Sequence, residues 1–183
     1  MKPFRLAFVA LSIALLLGGS ATARQWSPDG HASALDYSQI VHVKPTGEVV
    51  LVWWVVPEIF MPNANNQMLL GVLSRYVVIG AANARPGPNG QLAFENLPPV
   101  QIMDQMSRNY APLPDNALPP DVAQAIATLQ SLARQSPLGP IAQGMRWFVY
   151  QANTIHSCMP GRLSVPLGGE TYTYDTPMPG CTR

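Results

Sequence analysis

The sequence contains none of the short motifs that mark the commonest hydrolases. It has no Gly-x-Ser-x-Gly segment, so a hydrolase with a nucleophile elbow has no support. It has no His-Glu-x-x-His segment either, which removes the commonest signature of zinc hydrolases. The chain has three histidines, His31, His42 and His156, and these leave few ways to build a catalytic triad. The sequence leaves catalysis open but favours a protein that is not an enzyme.

Charged residues are scarce and balanced in sign. Only 11% of the residues are charged, with 11 basic against 10 acidic side chains. Without a basic excess there is no electrostatic case for nucleic acid or an anionic lipid surface as a partner. The glycine-containing segment 87–90 carries proline where a phosphate-binding loop would need amide donors. No cofactor is predicted.

The first 23 residues have the pattern of a secretory signal peptide. Lys2 and Arg5 precede an apolar run over 6–17, and Ala21-Thr22-Ala23 offers a cleavage site. The run is shorter than the roughly 20 residues that cross a bilayer, and no later stretch is long and charge-free enough to do so. We therefore predict cleavage after Ala23, a flexible lead-in over 24–34, and one β-rich domain over 35–183 that is periplasmic or secreted.

Two cysteines, Cys158 and Cys181, are the whole thiol content of the chain. In an oxidising compartment a pair this close in sequence favours a disulfide that fastens the C-terminal tail. The alternative is a pair of reduced thiols that serves a metal or redox site, although the two residues do not form a Cys-x-x-Cys motif.

The longest apolar run of the predicted domain, Val49–Val56, lies between Gly47-Glu48 and Pro57-Glu58. β-Branched residues dominate it and Trp53 and Trp54 occupy its middle, which is typical of a strand. Both alternating faces are apolar, so we expect an interior strand that is covered on both sides.

The remaining pattern predicts several short strands and one helix. Helical spacing of apolar residues after Pro120 predicts a helix over 121–135, whereas 68–73 fits one helical turn or the start of a strand. Strands are predicted over 35–43, 74–85, 91–95, 100–103, 145–152, 161–166 and 170–174. The predicted fold is mainly β: a single β-sandwich-like domain with one inserted α-helix.

Part of this pattern resembles the immunoglobulin-like accessory domains of exported bacterial proteins. The resemblance consists of the strand Tyr76–Arg85 with its return to Phe94, then Ile102-Met103-Asp104, Tyr110 and Pro112-Leu113, and later the strand Trp147–Tyr150. The helix over 121–135 departs from the simple pattern of that family. The resemblance covers about half of the chain and implies a binding or structural role, with no catalytic residues.

The segment His156-Ser157-Cys158-Met159 is the one cluster of metal-binding residue types. Imidazole, thioether and thiolate are soft ligands that suit copper(I), so His156 and Met159 are candidate metal ligands. The competing interpretation is that methionine fills the core and Cys158 is consumed by the disulfide.

Aromatic side chains raise a carbohydrate-binding hypothesis. We expect Trp26, Tyr110, Tyr172 and Tyr174 to be the most exposed of them. Because Tyr172 and Tyr174 share one face of a hairpin, cross-strand packing is the competing and favoured interpretation.

Together these patterns predict a non-enzymatic exported module that binds another envelope protein or has a structural role. The alternative is a carrier of a small molecule, a carbohydrate or copper. A pocket lined by Arg146, Asp104 and a histidine would instead favour an enzyme, and a flat apolar patch beside an unpaired strand edge would favour the protein-binding module.

Overall fold

The computed structural model describes residues 23–25, 38–43, 47–136, 139–178 and 181. The chain is mainly β, with its strands arranged in two sheets. The strands are β1 (Ala23–Gln25), β2 (Ser38–Val43), β3 (Glu48–Val55), β4 (Val77–Pro86), β5 (Leu92–Phe94), β6 (Ile102–Asp104), β7 (Asn109–Tyr110), β8 (Arg146–Tyr150), β9 (Gly161–Leu167) and β10 (Glu170–Thr176). The helices are α1 (Gln67–Leu73) and α2 (Pro120–Gln135). The predicted signal peptide and lead-in lie almost entirely outside the described residues.

The first sheet has the order β1-β10-β9-β6-β7, and all its pairings are antiparallel except that of β1 with β10. The second sheet has the order β2-β3-β4-β5, with β8 also paired to β4, and is antiparallel throughout. β8 and β5 pair with successive halves of β4, because β8 opposes 77–81 and β5 opposes 84–86.

The predicted central strand is confirmed as β3, which has a strand paired on each side. From Val50 onward all of its residues are buried, and Trp53 and Trp54 are only 3% and 2% exposed. Coverage of both faces explains why the sequence is apolar at every position here rather than at alternate ones.

The predicted helix is confirmed as α2, which begins at Pro120 and has Asp121 in its first turn. Its apolar positions Val122, Ile126, Leu129 and Ala133 are all buried. The ambiguous stretch 68–73 is helical and forms α1, whose Leu69, Val72 and Leu73 are buried at the spacing of one helix face. Among the described residues there are therefore two α-helices, the one predicted over 121–135 and a second at the stretch that the sequence left open.

Two glycine-containing turns have the backbone that hairpins need. Asn89 and Gly90 connect β4 to β5 with positive φ angles of 66° and 74°. Gly168 and Gly169 connect β9 to β10 with φ of 61° and 80°. Asparagine and glycine tolerate this left-handed region better than other residues, so these positions mark the turns in the sequence.

Side chains connect the two sheets. The buried Tyr174 of β10 donates a hydrogen bond of 2.8 Å to the backbone oxygen of Val52 in β3. Its ring meets Trp54 edge-on, with ring centroids 5.7 Å apart. Gln39 of β2 donates to the backbone oxygen of Thr173 at 3.0 Å. The immunoglobulin-like expectation is not confirmed by these features.

Within the described residues, no helix has the length and apolar character needed to cross a membrane.

Candidate functional site

A cleft of about 490 Å³ opens where β3 ends and β4 begins. Its volume lies within the range of about 300–1,000 Å³ that is common for small-molecule sites. Three segments line it: Trp54–Glu58, Leu73–Val77, and a third made of Ala152, Asn153 and Ile155–Met159. The third segment follows β8 and carries the first cysteine of the disulfide.

Pro57 ends the strand β3 and thereby positions Glu58 in one wall of the cleft. Pro57 has no backbone N–H and cannot continue the ladder of β3. The chain instead forms a 3-10 turn over Pro57–Ile59, in which the N–H of Phe60 donates to the oxygen of Pro57 at 3.1 Å. This turn places Glu58 at the edge of the cleft, next to the buried end of β3.

The opposite wall follows the C-terminus of α1. The amides of Arg75 and Tyr76 both donate to the oxygen of Val72 at 3.0 Å, which closes the helix before β4 begins. The Arg75 guanidinium then bonds the Asp121 carboxylate at 2.6 Å and lies 5.5 Å from the centre of the Tyr76 ring. This hydrogen bond raises the pKa of Arg75 and lowers the pKa of Asp121. The positive charge on this wall is therefore already paired.

The third wall is held by the predicted disulfide, which the structure contains. The sulfurs of Cys158 and Cys181 are bonded at 2.01 Å. The amide of Met178 also donates to the oxygen of Ser157 at 2.7 Å, so the tail is fastened at two points. His156 is exposed, and its Nε2 lies 2.8 Å from the backbone oxygen of Asn153.

Glu58 is the unusual group of the cleft. Its Oε1 lies 3.2 Å from the sulfur of Cys158, but a disulfide sulfur carries no proton, so this contact is not a hydrogen bond. Its Oε2 is buried and has no hydrogen-bond partner among the residues that the structure describes. A buried acceptor without a donor costs about 1–3 kcal/mol, and more when it is charged. Neither oxygen of this carboxylate therefore receives a hydrogen bond from the described residues.

The predicted metal ligands His156 and Met159 both line this cleft. Met159 is 60% exposed, and Cys158 is in the disulfide. Met178 is buried and does not line the cleft, although its amide bonds the oxygen of Ser157, and Met145 is buried against Gly80 in the second sheet. Copper binding by His156 and Met159 stays a prediction.

The pocket of Arg146, Asp104 and a histidine that would have favoured an enzyme does not form at this cleft. His156 lines the cleft, but neither Arg146 nor Asp104 is among its lining residues. Arg146 donates to the backbone oxygen of Leu97 and lies over the Phe148 ring.

Asp104 instead lies at the centre of a structural hydrogen-bond network. Its Oδ1 accepts from the amides of Met106 and Arg108 at 2.9 and 3.0 Å. Its Oδ2 accepts from the Arg108 side chain at 2.7 Å and from the hydroxyls of Tyr110 and Thr154 at 3.1 Å each. Burial alone would raise the pKa of this carboxyl, but the bonds from Arg108, Met106 and Thr154 outweigh it and hold the pKa well below its usual range.

The expectation that Tyr172 and Tyr174 are exposed is wrong. Both are fully buried, where they face Val165 and Leu163 across the last hairpin. Cross-strand packing, the competing interpretation, is therefore confirmed, and neither ring can stack on a sugar. Tyr110 is half-buried with its hydroxyl bonded as above. Trp26 and His31 lie outside the described residues, and the side chain of His42 is not described.

The importance of Glu58 could not be found from the sequence. It is 100 residues away from Cys158, and only the fold brings the carboxylate to the disulfide. The one signal was its position directly after the proline that ends the central strand.

The chain matches no protein-family model, and no curated protein or solved structure gives a significant match to it.

Proposed function

We propose that this chain is an exported, non-enzymatic binding module that holds a small molecule in the cleft beside its disulfide. The proposal includes removal of residues 1–23 as a signal peptide and a single sandwich-like domain over 35–183. The composition of the N-terminus supports export, and a disulfide is compatible with an oxidising compartment. The links from Tyr174 to Val52 and Trp54 support the sandwich-like packing.

The observation that carries the proposal is the carboxylate of Glu58 in the wall of an open cleft. Neither of its oxygens has a proton donor among the described residues. The neighbouring cation, Arg75, already bonds Asp121 and does not supply one. A ligand with an ammonium or N–H group would satisfy the carboxylate, after a rotation that brings Oε2 out to the cleft.

The shape of the site suits a ligand with an apolar body. Val55 and Val56 line the cleft and are each 1% exposed, and Leu73 adds a further buried apolar residue. Polar groups lie around them at Ser74, Asn153 and Ser157. An apolar surface with a few polar groups is the usual composition of small-molecule sites. We therefore expect an amphipathic ligand with one cationic or donor group.

The test is native mass spectrometry of the oxidised chain purified from the cell envelope, compared with the same sample after denaturation. We expect a mass excess that is lost on denaturation and a released compound with an amine or amide group. Glu58→Gln should reduce the bound fraction strongly, and Asn153→Trp should reduce it by filling the cleft.

The matched control is Asp115→Asn, which makes the same carboxylate-to-amide change at a side chain that is 79% exposed. It should leave the bound fraction unchanged. An unliganded mass for the chain from its native envelope, or a ligand retained equally by both cleft variants, would contradict the proposal.

A second candidate is the binding of another envelope protein through β2. In the part of the chain that the structure describes, β2 is an edge strand of the second sheet and pairs with β3 alone. Such an edge can accept a strand from a partner. A photo-cross-linking residue at His42 should then capture one stoichiometric protein that the same residue at the exposed Gln130 of α2 does not capture. Equal labelling from both positions would remove this candidate.

A further inference from the structure

Reduction of the disulfide would leave three metal-binding atoms together at the mouth of the cleft. One ligand atom each from Glu58, Cys158 and Cys181 lies within 4.8 Å of the others. We propose that the reduced chain binds one zinc ion through the two thiolates and the Glu58 carboxylate, and that oxidation to the disulfide abolishes this site. The inference does not rest on the proposed function, which concerns the oxidised chain.

The distances fit a tetrahedral ion after a small rearrangement. With Zn–S of about 2.3 Å and Zn–O of about 2.0 Å, a thiolate and a carboxylate oxygen on one zinc ion lie about 3.5 Å apart. Oε1 of Glu58 is already 3.2 Å from the sulfur of Cys158. Two thiolates on one zinc ion lie about 3.8 Å apart, so the sulfurs must separate once their bond is broken. The Cα atoms, 5.3 Å apart, leave room for this by side-chain rotation.

The second observation is the carboxylate itself. In the oxidised chain Glu58 faces a sulfur that cannot donate, and its other oxygen is buried without a partner among the described residues. A divalent cation beside the two thiolates would satisfy this charge. The Glu58 carboxylate therefore has no cation to bind among the described residues of the oxidised chain, and it would bind the zinc ion in the reduced chain.

The donor set favours zinc over copper(I). Thiolate is soft, but a carboxylate is a hard ligand that suits zinc and not copper(I). Three protein ligands would leave a fourth position for water or for a group of a bound molecule, which is the arrangement of reactive zinc sites rather than closed structural ones. His156 lines the same cleft but is not part of the three-residue cluster.

The redox step balances with a phosphine reductant. The disulfide takes up two electrons and two protons to give two thiols, and the phosphine takes an oxygen from water and becomes the phosphine oxide. Zinc binding then releases the two thiol protons. Reoxidation by a small-molecule disulfide reforms the bond between Cys158 and Cys181 and releases the ion. The two thiolates that leave from the oxidant take up two protons from solution and become thiols.

The experiment titrates zinc ions into the purified chain under anaerobic conditions, with a chromophoric chelator as competitor. We expect one zinc ion per reduced chain, release of two protons, and no comparable binding by the oxidised chain. Cobalt in place of zinc should give the sulfur-to-metal charge-transfer absorption of thiolate ligation. Glu58→Gln should weaken zinc binding by about tenfold or more, and Asp115→Asn should not change it.

Melting temperatures measured on the same samples show whether zinc binds the folded chain. Zinc should raise the melting temperature of the reduced wild type more than that of reduced Glu58→Gln, because an ion that binds only the folded chain stabilises it more when it binds more tightly. Zinc affinity that is the same in urea, equal in the oxidised chain, or unaffected by Glu58→Gln would overturn the proposal. Binding of copper(I) that depends on His156, without zinc binding, would overturn it in favour of the copper site predicted from sequence.

Discussion

Trp53 and Trp147 meet above Gly80, on the same face of the second sheet. Gly80 of β4 pairs directly with Trp53 of β3 on one side and with Trp147 of β8 on the other. The two indoles approach to 5.7 Å between ring centroids with an interplanar angle of 59°. A Cβ atom on Gly80 would lie 2.5 Å from the sulfur of Met145 and 3.1 Å from Trp147. The glycine makes the space in which these three large side chains pack.

Gly80→Ala should therefore destabilise the chain by about 1–3 kcal/mol, the usual cost of forcing a methyl group into a packed core. Gly71→Ala is the matched control, because a Cβ there meets nothing within 4 Å and the residue lies in α1. The control should be neutral or stabilise by up to about 1 kcal/mol, since alanine favours a helix. Urea unfolding of both variants checks this, and equal midpoints would show that Met145 moves aside freely.

Truncation of either central tryptophan should cost about 3–5 kcal/mol of unfolding free energy. Trp53→Ala removes the contact with Trp147, and Trp54→Ala removes the contact with Tyr174. Because the two residues point to opposite faces, both variants should be severely affected. Leu132→Ala, at a 42% exposed position of α2, is the control and should change little. If either tryptophan variant melts like the parent, β3 is not the centre of the core.

The sequence predicted most strands because their residues carry local signals. The apolar, β-branched run of β3 is typical of a strand that packs on both faces. Gly90 and Gly169 mark turns because glycine tolerates the positive φ angles found there. The sequence left 68–73 open between a helical turn and a strand, because α1 has only seven residues and so short an apolar run fits a strand as well as a helix.

The parts that could not be predicted depend on contacts between distant segments. Nothing in the sequence indicates that the hydroxyl of Tyr174 donates a hydrogen bond to the backbone oxygen of Val52, which lies 122 residues earlier. The pairing of β1 with β10 is likewise long-range and parallel. The resemblance did single out Asp104 and Tyr110 together, and the structure joins them by a hydrogen bond of 3.1 Å. The chemistry of the cleft arises from the same kind of distant contact, between Glu58 and Cys158.

Loss of the disulfide should destabilise the fold by about 3 kcal/mol, as the chain-entropy model gives for a loop of this length. The double variant Cys158→Ala/Cys181→Ala and the reduced, metal-free wild type should lose similar amounts relative to the oxidised wild type. Guanidinium unfolding of all three forms is the measurement. A loss below about 1 kcal/mol would mean that burial of Met178, which is 2% exposed, holds the tail without the covalent bond.

The network around Asp104 should make stability depend on pH in a defined direction. The pKa of this carboxyl is depressed in the folded chain, so the unfolded chain takes up the proton first as the pH falls. The contribution of Asp104 is therefore fully present above the unfolded pKa of about 3.9 and is lost as the pH falls from there towards the folded value. Asp104→Asn removes the charge that Arg108, Tyr110 and Thr154 bond, and it should lower the melting temperature clearly at pH 7.

The gap in melting temperature between wild type and Asp104→Asn should shrink steadily below about pH 4. Thermal melts at several pH values between 2 and 7 measure it directly. Asp115→Asn serves as the control, because surface changes usually stay within about 0.5 kcal/mol, and its gap should be small at every pH. A gap for Asp104→Asn that stays constant across this range would show that the side chain acts through its shape and neutral hydrogen bonds, and that its charge contributes nothing to the fold.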